Sequence, residues 1–209
     1  MIKLKICGMK HPENIREVGL LEPDFMGFIF YKDSKRYVEE LDPGVLSGLS
    51  ENIARVGVFV NHDLMEVVKI ARKFNLNLLQ LHGIESVDYV IALKQQMVGS
   101  DVKVLKAFGV DEDFDFSALE EYQNSVDYFL FDTQTPSHGG SGKLFNWELL
   151  KAYTLNKPYF LSGGIGSDDL EALKKFNDNR LFAIDINSKF ETEPGKKDIS
   201  KLNEFKRQL

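Results

Sequence analysis

The 209-residue chain carries 26 Lys and Arg against 32 Asp and Glu, a net charge of −6, and 43% of it is hydrophobic. That balance leaves no basic excess to hold a nucleic-acid backbone, and no apolar run approaches the ~20 residues that span a bilayer. The start, Met1-Ile2-Lys3-Leu4-Lys5, lacks the long apolar core of a signal peptide. With a single cysteine, it points to a reducing cytoplasm, and the length suits one domain over residues 1–209.

Lys3-Leu4-Lys5-Ile6-Cys7-Gly8 reads as a short strand running into a turn. Alternation puts Leu4 and Ile6 on one face and Lys3, Lys5 and Cys7 on the other. Pro12 opens a helix that Pro23 stops. Phe25 to Phe30 is a continuous apolar run, as in a strand covered on both faces. The polar loop 31–38 holds Ser34-Lys35-Arg36-Tyr37, and Asp42-Pro43 opens a second helix. Ile53 to Val60 is the third strand, and the helix Leu64 to Phe74 follows Asn61-His62-Asp63. The fourth strand, Leu78 to His82, puts Gln80 and His82 on one face. Ser86 to Met97 reads as helix, Val102 to Ala107 as strand and Phe114 to Tyr122 as a weakly signalled helix.

Tyr128 to Asp132 is the sixth strand. The long loop Thr133 to Phe145 contains His138-Gly139-Gly140-Ser141-Gly142-Lys143, and loops of this length are uncommon unless functional or mobile. Trp147 to Tyr153 is helix, and Pro158 to Leu161 is a strand ending in Ser162-Gly163-Gly164. Leu181 to Ile184 is the eighth strand, followed by Asp185-Ile186-Asn187-Ser188, and Asp198 to Gln208 is the last helix. Eight strands alternating with helices or helix-like turns predict a closed parallel (β/α)8 TIM barrel. The rival open sheet usually carries Gly-x-Gly-x-x-Gly after its first strand, and Cys7-Gly8-Met9-Lys10 lacks it.

In such a barrel the strands' C-terminal ends build the site. Those ends supply Cys7, Arg36, His82, Asp132, Gly163, Gly164, Asp185 and Ser188. Each has a plain explanation. A lone free cysteine is usually a small buried hydrophobe, Asp132 could cap a turn, Arg36 could be a solvated charge, and a Gly pair could serve a tight turn. Jointly they point to chemistry. Gly-Gly after strand seven and Asn-Ser after strand eight fit a phosphate site. Cys7 and Asp132, on strands one and six, could flank a small substrate as base and acid.

The ordered stretches Lys5-Ile6-Cys7-Gly8, Gly27-Phe28-Ile29-Phe30, Ser34-Lys35-Arg36-Tyr37, Val56-Gly57-Val58-Phe59-Val60-Asn61, Gln80-Leu81-His82-Gly83, Phe131-Asp132-Thr133, Gly139-Gly140-Ser141-Gly142-Lys143, Leu161-Ser162-Gly163-Gly164 and Pro194-Gly195-Lys196-Lys197-Asp198 resemble phosphoribosylanthranilate isomerases of tryptophan biosynthesis from end to end. The resemblance implies an Amadori rearrangement of a phosphosugar substrate with no metal or organic cofactor. It makes Cys7 the general base and Asp132 the general acid, puts Arg36 at the anthranilate end, and places the Gly163-Gly164 and Ser188 loops at the phosphate. His82 and Asp185 belong to the same substrate site. Lys5 is a candidate positive charge for Cys7, or an interior salt-bridge partner. A monomer or a homodimer is expected, without membrane or nucleic-acid partners.

The chain departs from that resemblance at one point. Where the family usually has Ser-Ser-Gly-Val-Glu after strand eight, this sequence has Asn187-Ser188-Lys189-Phe190-Glu191. A lysine held at φ > 0 would be strained by roughly 1–2 kcal/mol, so Lys189 is expected at negative φ with its side chain in solvent. Two other readings stand beside the isomerase: a histidine-pathway barrel isomerase of another phosphoribosyl aminoaldose, against which Cys7 argues, and a non-catalytic binder of phosphorylated metabolites.

Overall fold

The computed structural model describes residues 2–134 and 145–209. The Gly139-to-Lys143 stretch and His138 lie outside the described residues. Eight parallel strands close into a barrel in sequence order: β1 (Lys3–Ile6), β2 (Phe25–Ile29), β3 (Ala54–Phe59), β4 (Leu78–Leu81), β5 (Lys103–Val110), β6 (Tyr128–Thr133), β7 (Tyr159–Leu161) and β8 (Leu181–Ile186). Closure comes from β1 pairing with β8, with Lys5 opposite Asp185 and Ile6 opposite Ile186. That register sets two charged side chains from the chain's two ends against each other inside the barrel.

The alternation of the strands divides the core in two. Inside the barrel, Phe25, Val56, Leu78, Leu105, Ala107, Leu130, Phe160 and Ala183 form one buried cluster, drawn from every strand except β1. A larger cluster fills the space between strands and helices, including Leu4, Ile6, Phe28, Phe59, Leu79, Phe129, Phe131, Leu161 and Ile184. Each large side chain withdrawn from water there contributes about 1.5–3 kcal/mol. The inner layer plugs the barrel, so the space above it, at the strands' C-terminal ends, is a closed-bottomed cup.

The helices begin where the sequence supplies caps. Asp42 accepts from the Gly44 N–H at the start of α2 (Pro43–Ser47), and Asp63 accepts from Met65 and Glu66 at the start of α3 (Leu64–Lys73). Ser86 accepts from Tyr89 at α4 (Val87–Gln96), and Asp198 from Lys201 at α6 (Ile199–Gln208). Such caps satisfy N–H groups the first turn leaves open. Pro12 begins α1 (Pro12–Gly19), and α5 (Leu170–Lys175) follows β7 through a 3-10 turn at Ser167–Asp169.

Three expectations are corrected. The helices read near Phe114–Tyr122 and at Trp147–Tyr153 are 3-10 helices, Phe116–Tyr122 and Trp147–Ala152. Strand β5 runs on to Val110 because Phe108, Gly109 and Val110 pair with Phe131, Asp132 and Thr133. After a 3-10 turn at Ser188–Phe190 the chain makes a small antiparallel hairpin, β9 (Glu191–Glu193) with β10 (Lys196–Lys197). The sequence predicts no strands there.

Candidate active site

A cavity of about 420 Å³ opens at the C-terminal ends of the strands, within the 300–1,000 Å³ range of small-molecule sites. Its lining includes Cys7, Arg36, His82, Asp132, Gly163, Gly164, Asp185 and Ser188. All eight residues singled out from the sequence meet at one place. Gln80, Val58 and Ser162 also line it.

Cys7 follows the last residue of β1 and donates its N–H to the Ile186 carbonyl (2.9 Å). Its thiol is buried, and burial pushes its pKa up; Lys5 opposes that rise, Asp185 adds to it and Lys197 opposes it. Lys5, one side chain lower on the same face, donates to Asp185 Oδ2 (2.7 Å) with both groups buried. Burial works against the Lys5 charge, but Asp185 and then Cys7 outweigh it, so its pKa is raised. Lys5 is thus the interior salt-bridge partner and a neighbouring positive charge for the thiol at once.

Asp132 stands near the end of β6. Burial and the charge of Asp185 raise its pKa to about 6, against the lowering effects of the Thr133 N–H and Lys5. The Thr133 N–H donates to Oδ1 (2.8 Å), and Oδ2 lies 3.6 Å from His82 Nε2. On the other side of the ring, Gln80 Nε2 is 2.7 Å from His82 Nδ1.

Arg36 is not a solvated charge. Its Nε and Nη2 donate to Glu191 in a paired arrangement (2.9 Å to Oε1, 2.7 Å to Oε2), a bidentate geometry that fixes the guanidinium plane. Glu191 raises the Arg36 pKa. The same carboxylate accepts from Lys197 Nζ (2.7 Å), which also donates to Asn187 Oδ1 (2.7 Å). Lys197 is buried, and burial lowers its pKa. The sequence offers no separate signal for Glu191 or Lys197, and it marks Asn187 only as part of the Asn-Ser turn after strand eight. The Pro194-to-Asp198 stretch was visible as a motif, but its role depends on the hairpin that turns Lys197 inward.

Gly163 and Gly164 have φ of 94° and 66°, a conformation only glycine adopts without strain. A Cβ on Gly163 would stand 2.7 Å from the Thr133 nitrogen, so the glycine also lets the β7 loop press against β6. Lys189 is absent from the residues with positive φ and is exposed, as expected. Among the described residues, no group of three or more His, Cys, Asp or Glu side chains is arranged to hold a metal ion.

Comparison with known proteins agrees with this geometry. Residues 4–208 match the family described as N-(5'phosphoribosyl)anthranilate (PRA) isomerase. Relatives of that name include one from Parabacteroides distasonis, 43% identical over 99% of this chain and 92% of its own. Another, from Phocaeicola vulgatus, is 40% identical over 99% of this chain and 97% of its own. The crystal structure of phosphoribosyl anthranilate isomerase from Thermotoga maritima superposes with a TM-score of 0.87 at 33% identity, covering 100% of this chain and 98% of that one. A phosphoribosyl anthranilate isomerase in complex with reduced 1-(o-carboxyphenylamino)-1-deoxyribulose 5-phosphate gives 0.83 at 29% identity, with the same coverage of both chains. Neither the histidine-pathway isomerase nor the non-catalytic binder is favoured by these matches. The chain belongs to the N-(5'-phosphoribosyl)anthranilate isomerase family.

Proposed function

We propose that this protein converts N-(5-phosphoribosyl)anthranilate into 1-(2-carboxyphenylamino)-1-deoxyribulose 5-phosphate in tryptophan biosynthesis. The observation that carries the reading is a buried carboxyl with its pKa near 6 and a buried thiol, on β6 and β1, lining one cavity. A carboxyl that would ordinarily be ionised is kept partly protonated, which is what a general acid needs.

Asp132 gives its proton to the ribose ring oxygen as the C1–O bond breaks, and the anthranilate nitrogen's lone pair forms the C=N bond. Cys7 as thiolate then takes the proton from C2, and the electrons move toward nitrogen to give the enolamine, which tautomerises to the ketoamine. Lys5 and Lys197 favour the thiolate against the penalty of burial. The free edge of Arg36, with Nε and Nη2 held by Glu191, faces the anthranilate carboxylate. Backbone N–H groups around Gly164 and Ser188 take the phosphate, and His82 and Asp185 line the sugar. No cofactor enters these steps.

Loss of anthranilate-type fluorescence on adding purified protein to phosphoribosylanthranilate tests the reading. Binding without turnover would overturn it. The expected assembly is a monomer or a homodimer; a Thermotoga maritima relative is described as dimeric. Among the described residues no helix is long and apolar enough to cross a membrane, and we place the protein in the cytoplasm with its small-molecule substrate.

A further inference from the structure

Gln80 has no part in the steps above, yet its side chain is buried in the wall of the site. It points inward because strand alternation sets it on the same face as His82, between Val58 of β3 and Leu105 of β5 in the register. Its amide nitrogen is 2.7 Å from His82 Nδ1. Its Oε1 is buried with no hydrogen-bond partner among the described residues. A buried amide oxygen left without a donor costs about 1–3 kcal/mol.

A neutral imidazole has one N–H and one lone pair. Which nitrogen carries the proton is set by the bond the other one makes. The amide donates to Nδ1, so Nδ1 is the acceptor and the ring proton sits on Nε2, placed here from the orientation of the amide. Nε2 is the atom that faces Asp132 Oδ2 at 3.6 Å. The other carboxylate oxygen, Oδ1, is already occupied by the Thr133 N–H. Oδ2 is therefore the oxygen that holds the transferable proton.

The tautomer decides where that proton can go. With its lone pair on Nε2, the ring would present a base to the protonated Asp132 carboxyl, whose own pKa is about 6. It would accept the Asp132 proton in competition with the substrate. With a hydrogen on Nε2 the ring has nothing to accept with. It can only donate, and it does so most strongly once Asp132 has become a carboxylate.

We propose that Gln80 is a positioning residue that locks His82 as the Nε2–H tautomer, so that the imidazole cannot take the proton of Asp132 and instead supports the carboxylate left after transfer. The inference rests on Asp132 as the acid of the proposed isomerisation.

The experiment is long-range 1H–15N correlation spectroscopy on the full-length labelled chain, with the His82 signals identified by their loss in His82→Gln. The wild type is expected to show a bare Nδ1 and a protonated Nε2. In Gln80→Met, which keeps side-chain volume, the two tautomers should mix and kcat should fall about 10- to 100-fold, part of the 10²–10⁴ that a positioned acid supplies. In Gln80→Glu the carboxylate accepts from Nδ1–H, so Nδ1 should become protonated and kcat should fall again. A wild-type His82 protonated on Nδ1 overturns the proposal, whatever the variants do. So does Gln80→Met with full kcat and a native circular dichroism spectrum. A wild type that binds but does not turn over would sink the isomerase reading and the relevance of the lock to it, while its spectrum would still fix the tautomer.

Discussion

A Cβ added to Gly27 would stand 2.7 Å from the Cys7 sulfur and 3.1 Å from the Cys7 Cα. Gly27, on β2, is thus the empty space into which the thiol of the neighbouring strand fits. The backbone contact leaves little room for relaxation, because β1 and β2 are tied together by the pairing of Ile6 with Met26.

Gly27→Ala is therefore expected to displace Cys7, costing about 1–3 kcal/mol of stability as overpacking does and at least tenfold in kcat, roughly 1.4 kcal/mol. Cys7→Ala removes the proposed base without crowding and should lower kcat by ~10²–10⁴ while circular dichroism stays native. Steady-state kinetics and thermal melts separate the two. A fully active Cys7→Ala protein would make the thiol a core filler.

The raised pKa of Asp132 gives a signed prediction for stability. The folded carboxyl titrates at about 6 against an ordinary 3.8, so between those pH values the native state binds more protons than the unfolded one. Stability then falls as pH rises from about 4 to 6, by on the order of 3 kcal/mol. Asp132→Asn should abolish that fall. Urea midpoints of both proteins at pH 4 and pH 7 measure it; parallel behaviour would mean the carboxyl titrates normally.

Activity follows the same two groups. In the proposed isomerisation the productive form has Asp132 protonated and Cys7 ionised, and the acid has the lower pKa of the pair. The wild-type kcat/KM should therefore level off above pH 6 and fall only beyond the raised pKa of the thiol. Asp132→Asn, at a much lower rate, should keep climbing above pH 6, following the thiolate alone, with kcat reduced far more than KM is raised. A change confined to KM would leave Asp132 a binding group.

Glu191 is the shared partner of Arg36 and Lys197. Arg36→Met should raise KM about 10- to 100-fold, the 1.5–3 kcal/mol of a charge-assisted contact. Glu191→Gln leaves two cations facing a neutral amide and should cost on the order of 3–5 kcal/mol in stability, as breaking a buried pair does. Unchanged kinetics in Arg36→Met would remove it from the site.

Lys189 lies beside the proposed phosphate loop. Exposed and without positive φ, its ammonium offers only a screened attraction. Lys189→Gly should change KM less than about tenfold, ~1.4 kcal/mol, and added salt should shrink the effect. A hundredfold rise of KM in Lys189→Ala, with kcat preserved, would instead make it a direct clamp.

The barrel was legible from the sequence because its signals are local. Apolar strands of four to eight residues, each followed by a cap or a glycine turn, specify βα units one at a time, and eight such units of even spacing close. The strand ends then named Cys7, His82, Asp132 and Asp185 as neighbours, and period-2 alternation even put Gln80 on the face of His82. The pairings that give these residues their chemistry came only with the tertiary structure. Lys5 and Asp185 are 180 positions apart, and β1 meets β8 only on closure. Arg36 finds Glu191 across 155 positions, through a hairpin too short to announce itself as strands. Burial, which lifts Asp132 to about 6 and decides which charges must pair, is a property of the closed barrel that no stretch of sequence carries alone.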